Sequence, residues 1–188
     1  MSKQISKWNA EHADFIRLLG ILKSQVGLFH EQAEVNYELM LDIVYYLTHH
    51  PDRFHHPRED IAFGKLAERD PSSRNRVREL MGEHQVIASA GKRLVEQLNA
   101  ILGDAMLERE SVEVDAATYI VYYRQHMVRE EAELFPRLED VLGDEDWKAV
   151  DAAITAEADP LFGSKVGQRY QQLRQRILLA AERTDTNA

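Results

Sequence analysis

The sequence predicts an all-α protein, an up-down-up-down four-helix bundle with extra helices at its C-terminal end. Apolar residues recur at helical spacing through four long stretches of the 188-residue chain. Glycine and proline fall where these stretches would end, and the connections between them are short, as in antiparallel bundles. No stretch combines β-branched alternation with turn pairs, so strands are not expected.

The four bundle helices are expected, in chain order, at about residues 5–30, 35–47, 73–102 and 111–130. Pro51 and Pro57 interrupt the second helix. It restarts at Pro57, because a proline fits the first turn of a helix, and continues to about residue 69. Pro136 is expected to bend or end the fourth helix. The bundle therefore occupies about residues 6–140.

The rest of the chain is expected to form a helical extension at about residues 143–183, within a single domain over residues 1–188. A short helix at about 145–156 and a last helix at about 164–182 flank a break at Asp159-Pro160-Leu161-Phe162-Gly163. The apolar stripe of the last helix predicts that it packs on the bundle, with a dimer contact as the alternative. The terminal Thr184 to Ala188 is expected to be disordered.

Composition excludes several classes of site. The chain has no cysteine, so disulfides, iron–sulfur clusters and thiolate zinc sites are excluded. A formal charge of −9 argues against partners such as nucleic acid or an anionic membrane surface. No apolar stretch approaches the ~20 residues that span a bilayer, and the N-terminus has no signal-peptide core. We therefore expect a soluble cytoplasmic protein.

Two copies of one set of metal-binding residue types lie along the chain. The first copy is Glu11-His12 followed by His55-x-x-x-Glu59, and the second is Glu83-His84 followed by His126-x-x-x-Glu130. A single His-x-x-x-Glu pair is a weak signal, since it occurs by chance in many helices. Recurrence at a shift of 71 or 72 residues is much more specific. Imidazole and carboxylate suit non-haem iron, manganese or zinc.

Helix geometry brings the two copies together. In antiparallel helices, residues at similar distances from a shared turn lie at the same height, which places His12, His55, His84 and His126 at one end of the bundle, opposite the hairpin turns. Each glutamate lies one turn beyond its histidine on the same helix face. Burying these groups together without a cation would be costly. The sequence therefore predicts a metal site.

At this point the chain resembles the hemerythrin-like, or HHE cation-binding, family over about residues 6–140. The matching segments are Glu11-His12, the segment 54–60 (Phe-His-His-Pro-Arg-Glu-Asp), Glu83-His84 and the segment 126–136. The resemblance implies a four-helix bundle with two non-haem iron ions joined by an oxo or hydroxo bridge. It also implies a ligand set in which both glutamates bridge the ions: His12, His55, Glu59, His84, His126 and Glu130.

The chain departs from the oxygen-carrying members of that family. Those proteins have a further histidine one turn after the third-helix histidine, where this chain has Ala88. They also have an aspartate five residues after the last histidine, whereas in this chain the carboxylate is Glu130, four residues after His126. The site therefore has one imidazole fewer than in the oxygen carriers, unless His56 supplies it. We include His56 among the expected metal ligands. Asp60 is a weaker candidate.

Other polar residues near the motif could contact the site or solvent. One of Tyr122 and Tyr123 should face the site. Glu11 and Glu83 are either surface charges or hydrogen-bond partners of the site. His49 and His50, just before Pro51, are expected in an exposed loop.

Three functions are compatible with the sequence. The leading hypothesis is a di-iron protein that binds or senses a small oxidant (oxygen, nitric oxide or peroxide) or iron, with a homodimer or a separate signalling partner for its output. The second is an enzyme that removes peroxide or nitric oxide at the same centre. The third is a helical interaction module that binds zinc or no metal. Whether the protein is an enzyme stays open at this point.

Overall fold

The computed structural model describes residues 2–29, 31, 33–155 and 157–185, and all regular structure in this part of the chain is helical. The α-helices are, in chain order, α1 (Lys3–Gly27), α2 (Tyr37–His50), α3 (His56–Arg69), α4 (Arg74–Leu102), α5 (Arg109–Arg129), α6 (Phe135–Val141), α7 (Asp144–Ala153) and α8 (Gln171–Asp185). Helices α1, α2, α4 and α5 pack against one another, and α3 and α6 extend the second and fourth arms. The predicted all-α bundle with additional C-terminal helices is confirmed.

Local sequence explains where the helices begin and end. The Ser2 hydroxyl accepts a hydrogen bond from the Ile5 N–H at the start of α1, and the Asn36 side chain accepts one from the Leu39 N–H at the start of α2. Both are residue types that satisfy free N–H groups at helix N-termini. Gly103 follows α4, and its N–H bonds back to the last turn of that helix.

A π-helical turn precedes a proline in each return arm. In the second arm it covers Pro51–His55, and in the fourth it covers Glu130–Leu134. Pro57 and Pro136 follow these turns by two residues. A proline lacks the N–H of the regular helix and its ring clashes with the carbonyl four residues earlier, so the preceding turn widens. The arms therefore stay helical through their prolines.

This continuity corrects one expectation. His49 and His50 lie in the last turn of α2 rather than in an exposed loop. The His49 side chain is exposed, whereas the His50 ring is stacked on Tyr46 and only 12% exposed.

Two apolar clusters fill the bundle on either side of a polar layer. One cluster contains residues of the hairpin side, such as Phe15, Leu47 and Ile87. The other contains residues beyond the polar layer, such as Trp8 and Leu80. Between the two clusters, along every arm, lie the buried residues of the repeated motif: His12, His55, Glu59, His84, His126 and Glu130. The layer is therefore inside the bundle, and not at its end as the sequence predicted.

The C-terminal helices cover this structure. Trp147 and Val150 of α7 join the second cluster, and Leu173 and Ile177 of α8 join the first, so the predicted packing of the last helix on the bundle is seen. Helix α8 starts at Gln171, later than expected, and includes Thr184 and Asp185, which were expected to be disordered. The final three residues, which shared that expectation, lie outside the described residues. No helix in the described ranges is long and apolar enough to cross a membrane.

Gly91 marks the closest approach of α4 to its neighbours. A Cβ atom there would lie 2.3 Å from the Thr48 methyl carbon and 3.0 Å from the Tyr119 ring. We predict that Gly91→Ala lowers the free energy of unfolding by about 1–3 kcal/mol, since overpacking displaces well-packed neighbours. Urea denaturation measures this. Thr48→Ser, which removes the clashing methyl group, should recover part of the loss.

Gly82, on the same helix, provides the matched control. Its Cβ would meet nothing within 4 Å, so Gly82→Ala should raise stability by up to about 1 kcal/mol through helix propensity alone. Equal effects of the two substitutions would contradict the assigned packing.

Candidate metal centre

The seven residues predicted as metal ligands lie together in the polar layer. Their ligand atoms fall into three overlapping groups, in each of which the atoms lie within 4.8 Å of one another: His12, His55 and Glu59; Glu59, His84 and Glu130; and His56, His84 and His126. All seven side chains are buried. The groups share Glu59 and His84, so they form one continuous cluster.

One half of the cluster is built by the first two arms. The Nε2 atoms of His12 and His55 are 2.9 Å apart. Glu59 Oε1 lies 3.1 Å from His55 Nε2 and 3.5 Å from His12 Nε2. Glu130 reaches across from the fourth arm and places its Oε2 atom 3.6 Å from His12 Nε2. Two imidazoles and one oxygen from each glutamate thus converge here.

The other half mirrors this arrangement with residues of the third and fourth arms. Glu130 Oε1 lies 3.1 Å from His126 Nε2 and 3.2 Å from His84 Nε2. Glu59 Oε2 lies 3.7 Å from His84 Nε2. Each glutamate therefore presents one oxygen to each pair of histidines, as a carboxylate that bridges two cations must.

His56 breaks this symmetry by adding an imidazole to the second half. Its ring stacks on His84 with the centroids 4.3 Å apart. Its Nε2 atom lies 3.4 Å from the Tyr123 hydroxyl. The position 71 residues later is Met127, so only one half has this imidazole. Tyr123 is the tyrosine that faces the site, and Tyr122 is exposed.

Five carboxylates surround the cluster, and each accepts a hydrogen bond from the outer nitrogen of one imidazole. The Nδ1–carboxylate pairs are His12–Glu131 at 2.8 Å, His55–Glu11 at 2.6 Å, His84–Asp60 at 2.8 Å, His126–Glu83 at 3.0 Å and His56–Asp52 at 3.0 Å. An imidazole that donates its Nδ1–H outward turns the lone pair of Nε2 inward. This is how histidine ligands are usually oriented towards metals.

The outer carboxylates follow the same repeat as the inner residues. Glu11 and Glu83 precede His12 and His84, whereas Asp60 and Glu131 follow Glu59 and Glu130. Glu11 and Glu83 orient a histidine of their own copy, whereas Asp60 and Glu131 orient a histidine of the other copy. Each copy of the motif therefore helps to orient a histidine of the other copy.

The electrostatics of the layer favour a cationic occupant. Several inward atoms have no hydrogen-bond partner: both Glu59 oxygens, Glu130 Oε2 and His126 Nε2. Burial opposes ionisation of both glutamates, but the surrounding imidazoles hold the pKa of Glu59 and of Glu130 below the usual range. Two buried carboxylates that stay ionised need positive charge beside them.

The histidines respond to the same carboxylates. Burial alone would lower the pKa of His12, but the hydrogen bond to Glu131 and the negative charge of Glu59 raise it to about 10. For His84, Asp60 and Glu130 likewise overcome burial and raise the pKa to about 10. For His56, burial and the neighbouring His84 lower the pKa to about 4. His56 is thus a neutral imidazole at pH 7.

Aromatic rings close the side of the cluster formed by His12 and His55. Phe15 lies 5.1 Å from His55 and Phe135 lies 5.5 Å from His12, both as centroid distances. Trp8 contacts both His55 and Phe135. This wall keeps bulk water from the first half and leaves an apolar surface beside it.

The fold and the site together define a helical-bundle protein with a buried histidine–carboxylate cluster able to hold metal. The family model for the hemerythrin HHE cation binding domain matches residues 3–138, and the chain belongs to this family. Comparisons with curated proteins and with solved structures found no match. The family resemblance seen in the sequence is confirmed.

Sequence reasoning missed Asp52 and Glu131 and left Glu11 and Glu83 undecided. The signal was present: an acidic residue adjoins each of His12, His84, Glu59 and Glu130, in both copies. Asp60, considered as a weak ligand candidate, instead accepts the outer hydrogen bond of His84. Asp52 lies outside the repeat, but it precedes His56 by four residues, a spacing that places both on one helix face and could have indicated the pair.

The raised pKa of His12 and His84 predicts an unusual pH dependence for metal-depleted protein. Their folded pKa of about 10 exceeds the unfolded value of 6.5, so their stabilisation is complete below pH 6.5 and is lost as the pH rises through 10. The free energy of unfolding should therefore fall over this window by an amount on the order of a few kcal/mol. Urea denaturation at several pH values measures it.

Metal-loaded protein is the control. Bound cations require deprotonated imidazoles, so in the metal-loaded protein the free energy of unfolding should no longer fall above pH 6.5. The same alkaline decline in both preparations would contradict a cation at these nitrogens.

Proposed function

We propose that this protein holds two non-haem iron ions, joined by an oxo or hydroxo bridge, and binds or senses a small oxidant such as oxygen, nitric oxide or peroxide. The observation that carries the proposal is the placement of the two buried glutamates. Each presents one oxygen to the His12–His55 pair and its other oxygen to the His84 side. Two cations bridged by both carboxylates would satisfy every inward atom that otherwise has no partner.

The donor set supports two unequal metal positions. His12 and His55 would bind one ion, and His56, His84 and His126 would bind the other. With one oxygen from each glutamate, the first ion would have four protein ligands and the second five. Iron accepts this mixture of imidazole and carboxylate. When bound, iron would supply a redox-active centre for small oxidants.

The surrounding residues support a small, uncharged ligand at the first position. Trp8, Phe15 and Phe135 pack against His12 and His55 and leave an apolar surface. The five outer carboxylates hold the imidazoles in one tautomer and orientation. The chain's part is therefore to fix the ligands, keep one position open and exclude bulk water.

Adjacent glutamates on the fourth arm provide the direct test of the metal site. Glu130→Gln removes a proposed bridging ligand and should abolish the binding of two irons per chain, with loss of the near-ultraviolet charge-transfer absorption. Glu131→Gln removes only the negative charge of the outer partner of His12, and should keep both ions with about 10–100-fold weaker affinity. Iron analysis, optical spectra and competition with a chelator measure these outcomes.

The same samples separate the alternative functions. Zinc in place of iron, or two irons retained in Glu130→Gln, would overturn the proposed centre. Oxygen release from peroxide faster than with free iron, and lost in Glu130→Gln, would favour the enzyme hypothesis over binding or sensing.

His56 and its neighbour His55 test the inequality of the two positions. Mössbauer spectra of the loaded protein should show two distinct iron environments, because one ion has an additional imidazole. His56→Ala should keep both ions and make their two environments more alike, whereas His55→Ala should empty the first position. An unchanged spectrum in His56→Ala would show that His56 is not a ligand.

A further inference from the structure

Helix α5 has an unusual surface on the side opposite the core. Every exposed residue between positions 114 and 128 of this helix is uncharged: Val114, Ala117, Thr118, Val121, Tyr122, Gln125 and Val128. The large residues of this set are well exposed, at 57% for Val114, 51% for Val121, 53% for Tyr122 and 61% for Val128. In a chain with 29% charged residues, a helix whose exposed outer face has no charge and is largely apolar indicates a partner for that face.

The three valines are spaced by seven residues, so they form one stripe along the helix. The stripe from Val114 to Val128 is about 21 Å long at the rise of an α-helix. It is symmetric about Val121. If the α5 of a second chain crosses this stripe in the antiparallel direction at Val121, the Val114 of each chain meets the Val128 of the other. The apolar stripes of the two chains then cover each other.

The charges beside the stripe favour the same orientation. A second row of residues runs along one side of the stripe, also at a spacing of seven: Asp115, Tyr122 and Arg129. The two charged residues of this row are only partly exposed. An antiparallel crossing brings the Asp115 of one chain near the Arg129 of the other, at both ends. A parallel crossing would place aspartate against aspartate and arginine against arginine.

These two charged residues already have neighbours in their own chain. Asp115 accepts a hydrogen bond from Gln97, and Arg129 pairs with Glu83 and Glu79. Exposed charge pairs contribute little affinity, but they discriminate between orientations. The apolar stripe would supply the affinity, and the charges would select the antiparallel arrangement.

We propose that the outer face of α5 is a self-association surface, on which a second copy of this chain docks antiparallel about a twofold axis at Val121. A face related to itself by a twofold axis is the usual form of homodimer interface. One helix pair of this length is smaller than a standard interface of about 800 Å² per partner. The dimer should therefore be weak and depend on protein concentration.

Sedimentation velocity over a wide range of concentrations tests the association. The unmodified chain should change from monomer to dimer as concentration rises, and Val121→Arg should remain monomeric while keeping its helical circular dichroism. Leu178→Arg is the matched control, since Leu178 is 50% exposed on α8, the other helix considered for a dimer contact. A monomer at every concentration, or dissociation by Leu178→Arg alone, would overturn the proposal.

Disulfide cross-linking tests the orientation, because the chain has no cysteine of its own. Val121→Cys lies on the proposed axis and should form a disulfide-linked dimer. Val114→Cys alone should not, since its copies would be about 21 Å apart. A mixture of Val114→Cys and Val128→Cys chains should cross-link. Cross-linking of Val114→Cys with itself would overturn the antiparallel arrangement.

Discussion

The structure depends on two ionised carboxylates, Glu59 and Glu130, that are fully buried at the centre of a helical bundle. An isolated buried charge is strongly unfavourable, so each arm of the bundle contributes positive or polarisable groups to this layer. The imidazoles of His12, His55, His84 and His126 surround the glutamates and lower their pKa. The layer separates two apolar clusters that would otherwise form one core.

Most of the fold and the inner site could be predicted from sequence, because both follow from periodicity. Apolar spacing located the helices, and the repeated motif placed the same set of four residues at matched heights. The exact depth of the site was not predicted. The arms continue past Pro57 and Pro136 as helices, so Phe63 and Leu138 join an apolar cluster beyond the layer. The sequence predicted the restart at Pro57 and a helix to about residue 69, but it expected Pro136 to bend or end the fourth helix, where α6 continues to Val141.

The outer carboxylates and His56 show what periodicity does not determine. Sequence alone left Glu11 open as a surface charge or a hydrogen-bond partner, and in the structure it reaches the Nδ1 atom of His55 on a different arm. Such pairs depend on the side-chain directions of two packed helices. His56 pairs with Asp52, which lies in the π-helical turn at Pro51–His55. Both His55, the last residue of this turn, and His56 reach the site.

We propose that this cluster holds two metal ions in unequal positions. Anomalous X-ray diffraction at the iron absorption edge, on crystals of the iron-loaded protein, would locate both ions. Two anomalous peaks are expected, one beside His12 and His55 and the other beside His56, His84 and His126, with Glu59 and Glu130 between them. A single peak, or iron bound outside this layer, would rule out the two-ion centre.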